Sequence, residues 1–399
     1  MKEALKHLVG RIGQADPRAQ LAVEFWDGQI VKIGDQPLVA LRLKSEQVAG
    51  RLIAQGFLGF AEAYMSGELE VEGDLQELLR LGITVQFDQL QPTFREKLRL
   101  LPGYLKTRST VKRAPSNIAH HYDRGNEFYA LYLDETMTYS CAYFKRGDEP
   151  LEVAQRDKYD HIARKLLLRP GETLLDIGCG WGGMLIHAAA NYGVRGLGIT
   201  LSRQQCEYAG RKIEKLGLQD RIEVVFEDYR DLAGSFDKIV SIGMFEHVGK
   251  HYIPVFMKKV SELLKPGGLG LLHTIGKEIE SPTDPWTLRY IFPGGYLPNL
   301  PEITSHMGKS GLSVLDVENL RLHYARTLDL WAQNFEANVA KARAMFDDSF
   351  VRMWRLYLNA SSTGFKYAQI RLYQLLFSNG LNNQLPITRE HIYERHVKF

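Results

Sequence analysis

The feature that most constrains the fold is a glycine-rich turn that directly follows a short apolar run. Residues 173–183 read Thr-Leu-Leu-Asp-Ile-Gly-Cys-Gly-Trp-Gly-Gly, and residues 184–190 have the composition of a helix. This order predicts a buried strand that leads through a turn into a helix N-terminus. Glycines let the backbone approach a ligand closely and adopt positive φ, and a helix start offers unpaired N–H groups. The stretch therefore predicts a nucleotide-cofactor site.

The spacing of the glycines separates two classes of nucleotide cofactor. Gly178, Gly180, Gly182 and Gly183 follow the pattern Gly-x-Gly-x-Gly-Gly, which lacks the third glycine of the dinucleotide fingerprint. Asp176 would repel a pyrophosphate, but it can hold its own loop or a ligand amine. We therefore expect S-adenosylmethionine rather than NAD. A purely structural turn would explain only one or two of these glycines.

Composition bounds the class of protein. The chain has 399 residues, of which 45% are hydrophobic and 24% charged, enough for one large domain and one small one. A net charge of +3 is too small to indicate a nucleic-acid partner. No apolar run approaches the ~20 residues that span a bilayer, and the N-terminus lacks the apolar core of a signal peptide. Three cysteines without a Cys-x-x-Cys pair suit free thiols in a reducing compartment, so we expect a cytoplasmic protein.

The sequence pattern predicts two domains joined by a basic linker. Residues 1–90 read as a small mixed α+β domain for lipid docking or dimerisation, with a purely structural role as the alternative. Residues 91–114 form the linker, in which Arg95 to Arg113 carries seven basic side chains against one acid. The leucines between them favour a peripheral contact with a lipid surface, and a solvated linker is the alternative. Residues 115–399 form the catalytic domain.

Strands and helices alternate regularly within the catalytic domain from Leu151 onwards. This alternation predicts a parallel, doubly wound sheet whose ligands lie at the carboxyl ends of the strands. We expect five strand-end residues to converge on one cleft: Asp176, Thr200, Asp228, Glu246 and His273.

The carboxy-terminal part departs from this alternation. A Pro- and aromatic-rich insertion near residues 277–310 predicts a lid or substrate wall. Tyr324 is predicted just ahead of a helix that runs from residue 328 to 342. A second helix is predicted over residues 350–358, with the polar residues 359–364 after it and a last strand over residues 369–377.

Eight motifs, read in order, resemble those of the cyclopropane-fatty-acyl-phospholipid synthases, a group that includes the mycolic-acid cyclopropane synthases. They span about residues 115 to 380: His120-His-Tyr-Asp123, Tyr139-Ser-Cys-Ala-Tyr143, Leu174 to Gly183, Asp228-Tyr-Arg-Asp231, Met244-Phe-Glu-His-Val-Gly249, Leu272-His-Thr-Ile-Gly276, Tyr290-Ile-Phe-Pro-Gly294 and Tyr357-Leu-Asn-Ala360. The resemblance implies an α/β, Rossmann-like, class I S-adenosylmethionine-dependent methyltransferase fold with a small mixed α+β N-terminal domain.

The same resemblance implies an activity. It is the transfer of a methylene carbon from S-adenosylmethionine to the cis double bond of an acyl chain in a membrane phospholipid, which forms a cyclopropane ring. The partner would be a phospholipid bilayer, with the protein as a peripheral protein at the inner face of the cell membrane. A homodimer and a monomer both remain open. The alternatives are methyl or methylene branching of the same chains without ring closure, and a small-molecule N-methyltransferase.

The resemblance also implies two sets of site residues. Eight would hold S-adenosylmethionine, joined by Asp176 from the turn itself: Tyr139, Ser140, Gly178, Gly180, Thr200, Gln205, Asp228 and Tyr229. Five match positions that hold a bicarbonate ion in the family: Cys141, Glu246, His273, Ile275 and Tyr324. Glu246 and His273 are expected to be the main catalytic pair. No metal site is expected, because this acid and this imidazole lack a third ligand, and the adjacent His120 and His121 point apart.

Overall fold

The computed structural model of the protein describes residues 1–84 and 125–393. The helices are α1 (Lys2–Ala15), α2 (Glu46–Met65), α3 (Leu75–Thr84), α4 (Asn126–Tyr129), α5 (Leu151–Lys165), α6 (Gly183–Tyr192), α7 (Arg203–Lys215), α8 (Ile253–Leu263), α9 (Leu300–Lys309), α10 (Arg321–Ala337), α11 (Val339–Met345), α12 (Asp348–Tyr367) and α13 (Glu390–Tyr393). The strands are β1 (Leu21–Glu24), β2 (Ile30–Ile33), β3 (Val39–Leu43), β4 (Leu69–Gly73), β5 (Thr173–Ile177), β6 (Arg195–Thr200), β7 (Ile222–Phe226), β8 (Phe236–Ile242), β9 (Leu264–Lys277), β10 (Leu312–Asn319) and β11 (Ile370–Asn379). Within the described ranges, no helix is both long and apolar enough to cross a membrane.

The described residues divide into two compact units. The first unit contains residues 1–84 together with Asp284–Ile291 and Leu328–Ala368. The second unit contains residues 125–283, Phe292–Thr327 and residues 369–393. The boundaries predicted for the basic linker, at residues 91 and 114, lie outside the described residues, so the predicted division into domains remains a prediction.

A four-stranded sheet in the order β2-β1-β3-β4 forms one side of the first unit. Strands β1 and β2 make the hairpin that the Asp27-Gly28 pair favours, because Gly28 adopts a φ of 84° and donates its N–H to the Phe25 carbonyl at 2.9 Å. Strand β3 runs parallel to β1, and β4 runs antiparallel to β3. The sheet is therefore mixed, as expected for a small α+β unit.

Helix α12 is held in the first unit by polar side chains. Arg352 donates to the Leu69 carbonyl at 2.8 Å and to Glu70 Oε2 at 2.9 Å. The helix continues through residues 359–364, so the predicted end at residue 358 is wrong. Asn359 Nδ2 donates to the Arg355 carbonyl at 2.9 Å, which satisfies the amide within the helix instead of ending it.

A seven-stranded sheet in the order β10-β11-β9-β8-β5-β6-β7 forms the centre of the second unit. Strands β9, β8, β5, β6 and β7 are parallel to their neighbours, as the alternation of strands and helices predicted. Apolar clusters cover both faces, so the central strand β5 is buried from Leu174 to Ile177. Such a sheet presents the carboxyl ends of its parallel strands as a ligand-binding edge.

Two details of the second unit differ from prediction. The sheet is not wholly parallel, because Ile370 pairs with Lys277 at the end of β9 and the chain therefore runs through β11 antiparallel to it. Tyr324 lies inside α10 rather than ahead of a helix. The helix begins at Arg321, seven residues before the predicted start at residue 328. The Arg321 N–H donates to the side chain of Asn319, the last residue of β10, at 3.0 Å.

Candidate active site

The glycine turn after β5 has the geometry that the sequence predicted. Gly178, Gly180 and Gly182 adopt φ values of 85°, 56° and 81°, which residues with a side chain rarely adopt. A Cβ on Gly178 would lie 2.5 Å from the Cβ of Met244, whereas a Cβ on Gly180 would meet nothing within 4 Å. The turn is therefore tightly packed at its start and open at Gly180.

A cavity lies beside this turn at the carboxyl ends of β5, β6 and β8. We call it the co-substrate cavity. All nine residues predicted to hold S-adenosylmethionine line it: Tyr139, Ser140, Asp176, Gly178, Gly180, Thr200, Gln205, Asp228 and Tyr229. The structure thus brings together the complete set that the sequence singled out.

Most polar side chains of the co-substrate cavity are paired within the chain. Thr200 Oγ1 donates to Gln205 Oε1 at 2.9 Å. Asp228 accepts a bidentate pair of hydrogen bonds from Arg230, at 2.8 and 2.5 Å. These contacts fix the side chains at the ends of β6 and β7 before any ligand arrives.

In the described part of the chain, Asp176 has an unpaired oxygen in the cavity. Its side chain is buried, and its Oδ1 has no hydrogen-bond partner among the described residues. Burial raises the pKa of Asp176 to about 7, against the opposing effect of the Lys158 ammonium. An acid in this state is suited to a cationic ligand group.

Glu246 and His273 are buried polar residues that lie outside the co-substrate cavity. Glu246 Oε1 accepts the Ile275 N–H at 2.6 Å, and His273 Nδ1 lies 3.1 Å from the Gln374 amide nitrogen. We call these four residues the Glu246 cluster. Among the described residues, Glu246 Oε2 and His273 Nε2 have no hydrogen-bond partner.

Burial controls the charge states of the Glu246 cluster. It raises the pKa of Glu246 to about 7 and lowers the pKa of His273 well below its usual value. The imidazole is therefore neutral. Because the Gln374 amide donates to Nδ1, the ring proton is on Nε2. Nε2 is therefore a hydrogen-bond donor, and it has no acceptor among the described residues.

The expectation that five strand-end residues share one cleft is only partly correct. Asp176, Thr200 and Asp228 line the co-substrate cavity, whereas Glu246 and His273 do not. His273 faces Gln374 across the β9–β11 pair, and Glu246 is turned to the backbone of β9. The cluster still adjoins the cavity, because Met244 and His247, on either side of Glu246 in the chain, both line it.

Cys141 and Tyr324 belong to neighbouring segments. Cys141 is fully buried, its Sγ donates to the Ala142 carbonyl at 3.1 Å, and burial raises the pKa of its thiol. The start of α10 holds the following backbone: Thr327 Oγ1 accepts the Ala142 N–H and His323 Nδ1 accepts the Phe144 N–H, each at 3.0 Å. Tyr324 lies in this same turn of α10.

The remaining predictions concern the histidines, the basic segment and metal binding. His120, His121 and the basic segment from Arg95 to Arg113 lie outside the described residues. Within the described ranges, no three His, Cys, Asp or Glu side chains come together as a metal site. Lys158 lines the co-substrate cavity but was not predicted to do so, because a lone lysine in a helix carries no sequence signal for burial.

Comparison with known proteins gives two matching families. The family described as mycolic acid cyclopropane synthetase matches residues 109–375. A domain of unknown function, DUF7884, matches residues 14–91.

Relatives align over most of the chain. A probable fatty acid methyltransferase of Pseudomonas putida is 39% identical over 387 residues, covering 94% of this chain and 96% of its own. The cyclopropane-fatty-acyl-phospholipid synthase of Escherichia coli K12 is 38% identical over 353 residues, covering 88% and 90%. These alignments extend well beyond the catalytic part into the amino-terminal residues.

Solved structures match the larger part of the fold. The crystal structure of the mycolic acid cyclopropane synthase CmaA1, complexed with SAH and CTAB, aligns with a TM-score of 0.63 and 34% identity, covering 66% of this chain and 98% of that one. The second unit therefore has the Rossmann-like class I methyltransferase fold that the motifs implied. The chain belongs to the mycolic acid cyclopropane synthetase family of S-adenosylmethionine-dependent methyltransferases.

Proposed function

We propose that the protein transfers a methylene carbon from S-adenosylmethionine to the cis double bond of an unsaturated acyl chain in a membrane phospholipid, forming a cyclopropane ring. The alignment with the E. coli cyclopropane-fatty-acyl-phospholipid synthase over 88% of the chain carries this proposal. The co-substrate cavity supports it, because the nine residues expected to hold S-adenosylmethionine line one space.

The residues of the cavity suit the parts of S-adenosylmethionine. The turn from Gly178 to Gly180 lets the ligand approach the backbone closely. Thr200 with Gln205 supplies polar groups at the end of β6, and Asp228 with Tyr229 does so at the end of β7. Asp176 offers an acceptor to the ammonium group of the amino-acid end.

The methyl transfer needs orientation and exclusion of water, because an isolated alkene is a weak nucleophile. Attack on the sulfonium methyl leaves a cation on the acyl chain, which aromatic faces stabilise without trapping it. Tyr139 lines the cavity and packs against Tyr129 with ring centroids 5.2 Å apart, and Tyr129 packs against Trp181 at 5.3 Å. Trp286 is buried in the first unit, where its Nε1 donates to Met65 Sδ.

Closure of the ring requires a proton to leave the new methyl group. Bound bicarbonate would supply the base for this step. The Glu246 cluster fits such an anion: Glu246 Oε2 can accept its hydroxyl hydrogen, and His273 Nε2 can donate to one of its oxygens. The N–H of Ile275 fixes the Glu246 carboxylate at 2.6 Å, so Oε2 has a defined direction.

The remaining two residues of the predicted set would complete this site. We propose that the backbone at Cys141 and the hydroxyl of Tyr324 bind the same anion. The contacts from α10 to Ala142 and Phe144 support this, because they hold the two segments together. Depleting carbonate from the buffer should slow the native enzyme, and adding bicarbonate back should restore it; a rate that is insensitive to carbonate would contradict this site.

Proton NMR of the product tests the overall function. The purified protein is incubated with vesicles of cis-monounsaturated phosphatidylethanolamine and methyl-labelled S-adenosylmethionine, with saturated lipid as the control. We expect label in the unsaturated lipid together with the upfield signals of cyclopropane protons. Label in neither lipid would contradict the proposal.

The same spectrum tests a second candidate function, which the relative named as a probable fatty acid methyltransferase favours. A 1,2-hydride shift in the same cation, followed by loss of a proton from the new methyl group, would give a methylene-branched chain. That product has the same mass as the ring, so proton signals of an exocyclic =CH2 group instead of cyclopropane signals would identify it.

We also propose that the protein acts as a peripheral protein at the inner face of the cell membrane. The seven basic side chains between Arg95 and Arg113 support attraction to anionic lipid at roughly 1 kcal/mol each. Sedimentation with vesicles of anionic phospholipid should show binding that weakens as salt is raised. Binding that is unaffected both by salt and by neutralisation of these residues would overturn the proposal.

A further inference from the structure

Lys158 is a buried cation at the edge of the co-substrate cavity. Its side chain, on α5, is 1% exposed and lines the cavity. Nζ donates to Ser140 Oγ at 2.9 Å and lies 4.3 Å from the centre of the Tyr159 ring. The family motifs include Ser140, but they give no role to Lys158.

A second buried lysine on the same helix, Lys165, has the ion pairs expected of a lysine with a structural role. Lys165 is fully buried, and its Nζ pairs with Glu318 at 2.5 Å and with Asp316 at 3.7 Å. Within the described ranges, Lys158 makes no salt bridge within 4.0 Å. Burial therefore lowers the pKa of Lys158 to about 7, although Asp134 and Asp176 oppose this effect from farther away. An ammonium group buried without an ion-pair partner is costly, which makes a purely structural role a poor explanation.

The contact with Lys158 decides how Ser140 can bind a ligand. A hydroxyl group has one hydrogen to donate and two lone pairs to accept with. Lys158 occupies one lone pair, so the Ser140 hydrogen is directed away from the ammonium. The Ser140 carbonyl accepts from Gln155 Nε2 at 2.9 Å, so α5 holds this residue at two points.

The groups around the cavity are complementary to a zwitterion. The Ser140 hydroxyl and the Lys158 ammonium both favour an anionic group, whereas the unpartnered Oδ1 of Asp176 favours a cationic one. The amino-acid end of S-adenosylmethionine carries one of each. We propose that Lys158 is a positioning residue that directs the Ser140 hydroxyl at the α-carboxylate of the co-substrate, so that this pair selects a ligand carrying that carboxylate.

This inference rests on the proposed function, since it assumes that S-adenosylmethionine occupies the cavity. It is tested by calorimetric titration with two probes, S-adenosylmethionine and decarboxylated S-adenosylmethionine. The native protein should bind the first about 10- to 100-fold more tightly, the range for charge-assisted hydrogen bonds. Lys158→Met and Ser140→Ala should each remove most of this preference by weakening binding of S-adenosylmethionine while leaving the decarboxylated probe unchanged or tighter.

Two further variants separate positioning from a structural effect. The double variant Lys158→Met/Ser140→Ala should lose little more of the preference than either single variant, because the two residues act through one contact. Lys165→Met removes the other buried cation of α5, and it should keep the native preference whatever its effect on the melting temperature.

Several outcomes overturn the inference. It fails if the native protein binds both probes equally, or if Lys158→Met weakens both by the same factor. Should Lys158→Met not fold, Ser140→Ala decides alone, and an unchanged preference in that variant refutes the proposal. Native protein that binds neither probe would contradict the proposed function itself, whereas tight native binding with unaltered preference in the variants would contradict only the role of Lys158.

Discussion

The co-substrate cavity and the Glu246 cluster are neighbouring regions of one unit, and they differ in how far the chain itself satisfies the hydrogen bonds of their polar side chains. In the cavity, Asp228 is paired with Arg230 and Thr200 with Gln205, so the chain itself satisfies most polar side chains. In the cluster, Glu246 Oε2 and His273 Nε2 are buried and have no partner among the described residues. Unsatisfied buried groups are costly, so a fold retains them where a ligand completes their hydrogen bonds. The cavity is thus preorganised for binding, and the cluster has one acceptor and one donor that the described residues leave free for the small anion proposed to bind there.

The largest expected effect is a loss of co-substrate affinity caused by a change in the cavity alone. Gly180→Val should abolish binding of S-adenosylmethionine, a loss of about 100-fold or more, because the φ of 56° is strained for a branched side chain that would also occupy ligand space. Calorimetric titration measures the loss. Gly217→Val is the matched control, since Gly217 has a φ of 67° and equally open surroundings but does not line the cavity. Normal binding by folded Gly180→Val would show that the cavity is not the co-substrate site.

The second prediction is that the stability of the protein depends on pH through Glu246. Burial raises the pKa of Glu246 from 4.5 to about 7, so the native state holds a proton that the unfolded state has lost between these values. The stability of the native protein should therefore fall as pH rises through this window, by on the order of 3 kcal/mol from this one group. Glu246→Gln lacks the titration, so its free energy of unfolding should rise relative to native by that order from pH 4.5 to 7.

Denaturant unfolding of both proteins across this window measures the difference. An unchanged difference in the free energy of unfolding would mean that Glu246 is not held in a desolvated site. The cluster would then lack the buried, unpaired carboxyl on which the comparison with the cavity depends, and that comparison would fail.

A smaller effect is expected at the link between α10 and the segment that carries Cys141. Thr327→Val removes the acceptor for the Ala142 N–H and should cost about 1–3 kcal/mol of stability, the range for an unsatisfied buried donor. Turnover should fall more than affinity for S-adenosylmethionine, because this link holds the Cys141 segment that is proposed to bind the anion. Thr304→Val is the control, since in the described part of the chain the Thr304 hydroxyl bonds only carbonyls of its own helix. Equal losses of stability and turnover in both variants would mean that α10 has no specific role at this site.

The same contrast explains what could be predicted from the sequence. The glycine turn and the parallel strands follow from local motifs, because backbone conformation and strand ends are encoded in consecutive residues. Eight of the nine cavity residues, and the anion-site role of Glu246 and His273, were assigned through the family resemblance. The contact of His273 with Gln374 was not foreseen, since it depends on how β11 enters the sheet.

Long-range packing also accounts for the misses. Lys158 gave no sequence signal, because its burial without a carboxylate partner within 4.0 Å among the described residues is a property of the folded chain. The polar residues 359–364 were predicted to end a helix, yet tertiary contacts such as Ser362 Oγ to Asp329 at 2.6 Å keep them helical. The contact that decides where this helix ends joins residues far apart in the chain.

The central claim is that the cavity binds the co-substrate while the Glu246 cluster performs the chemistry. The most direct measurement takes the dissociation constant for S-adenosylmethionine and the turnover on cis-unsaturated phosphatidylethanolamine vesicles from one preparation of Glu246→Gln. We predict affinity within about threefold of native and turnover lowered about 100-fold or more, as expected for loss of a proton-transfer site. Glu149→Gln, which also alters a buried carboxylate but lies in neither region, should retain both values. Near-native turnover by folded Glu246→Gln, or affinity that falls in step with turnover, would contradict the account.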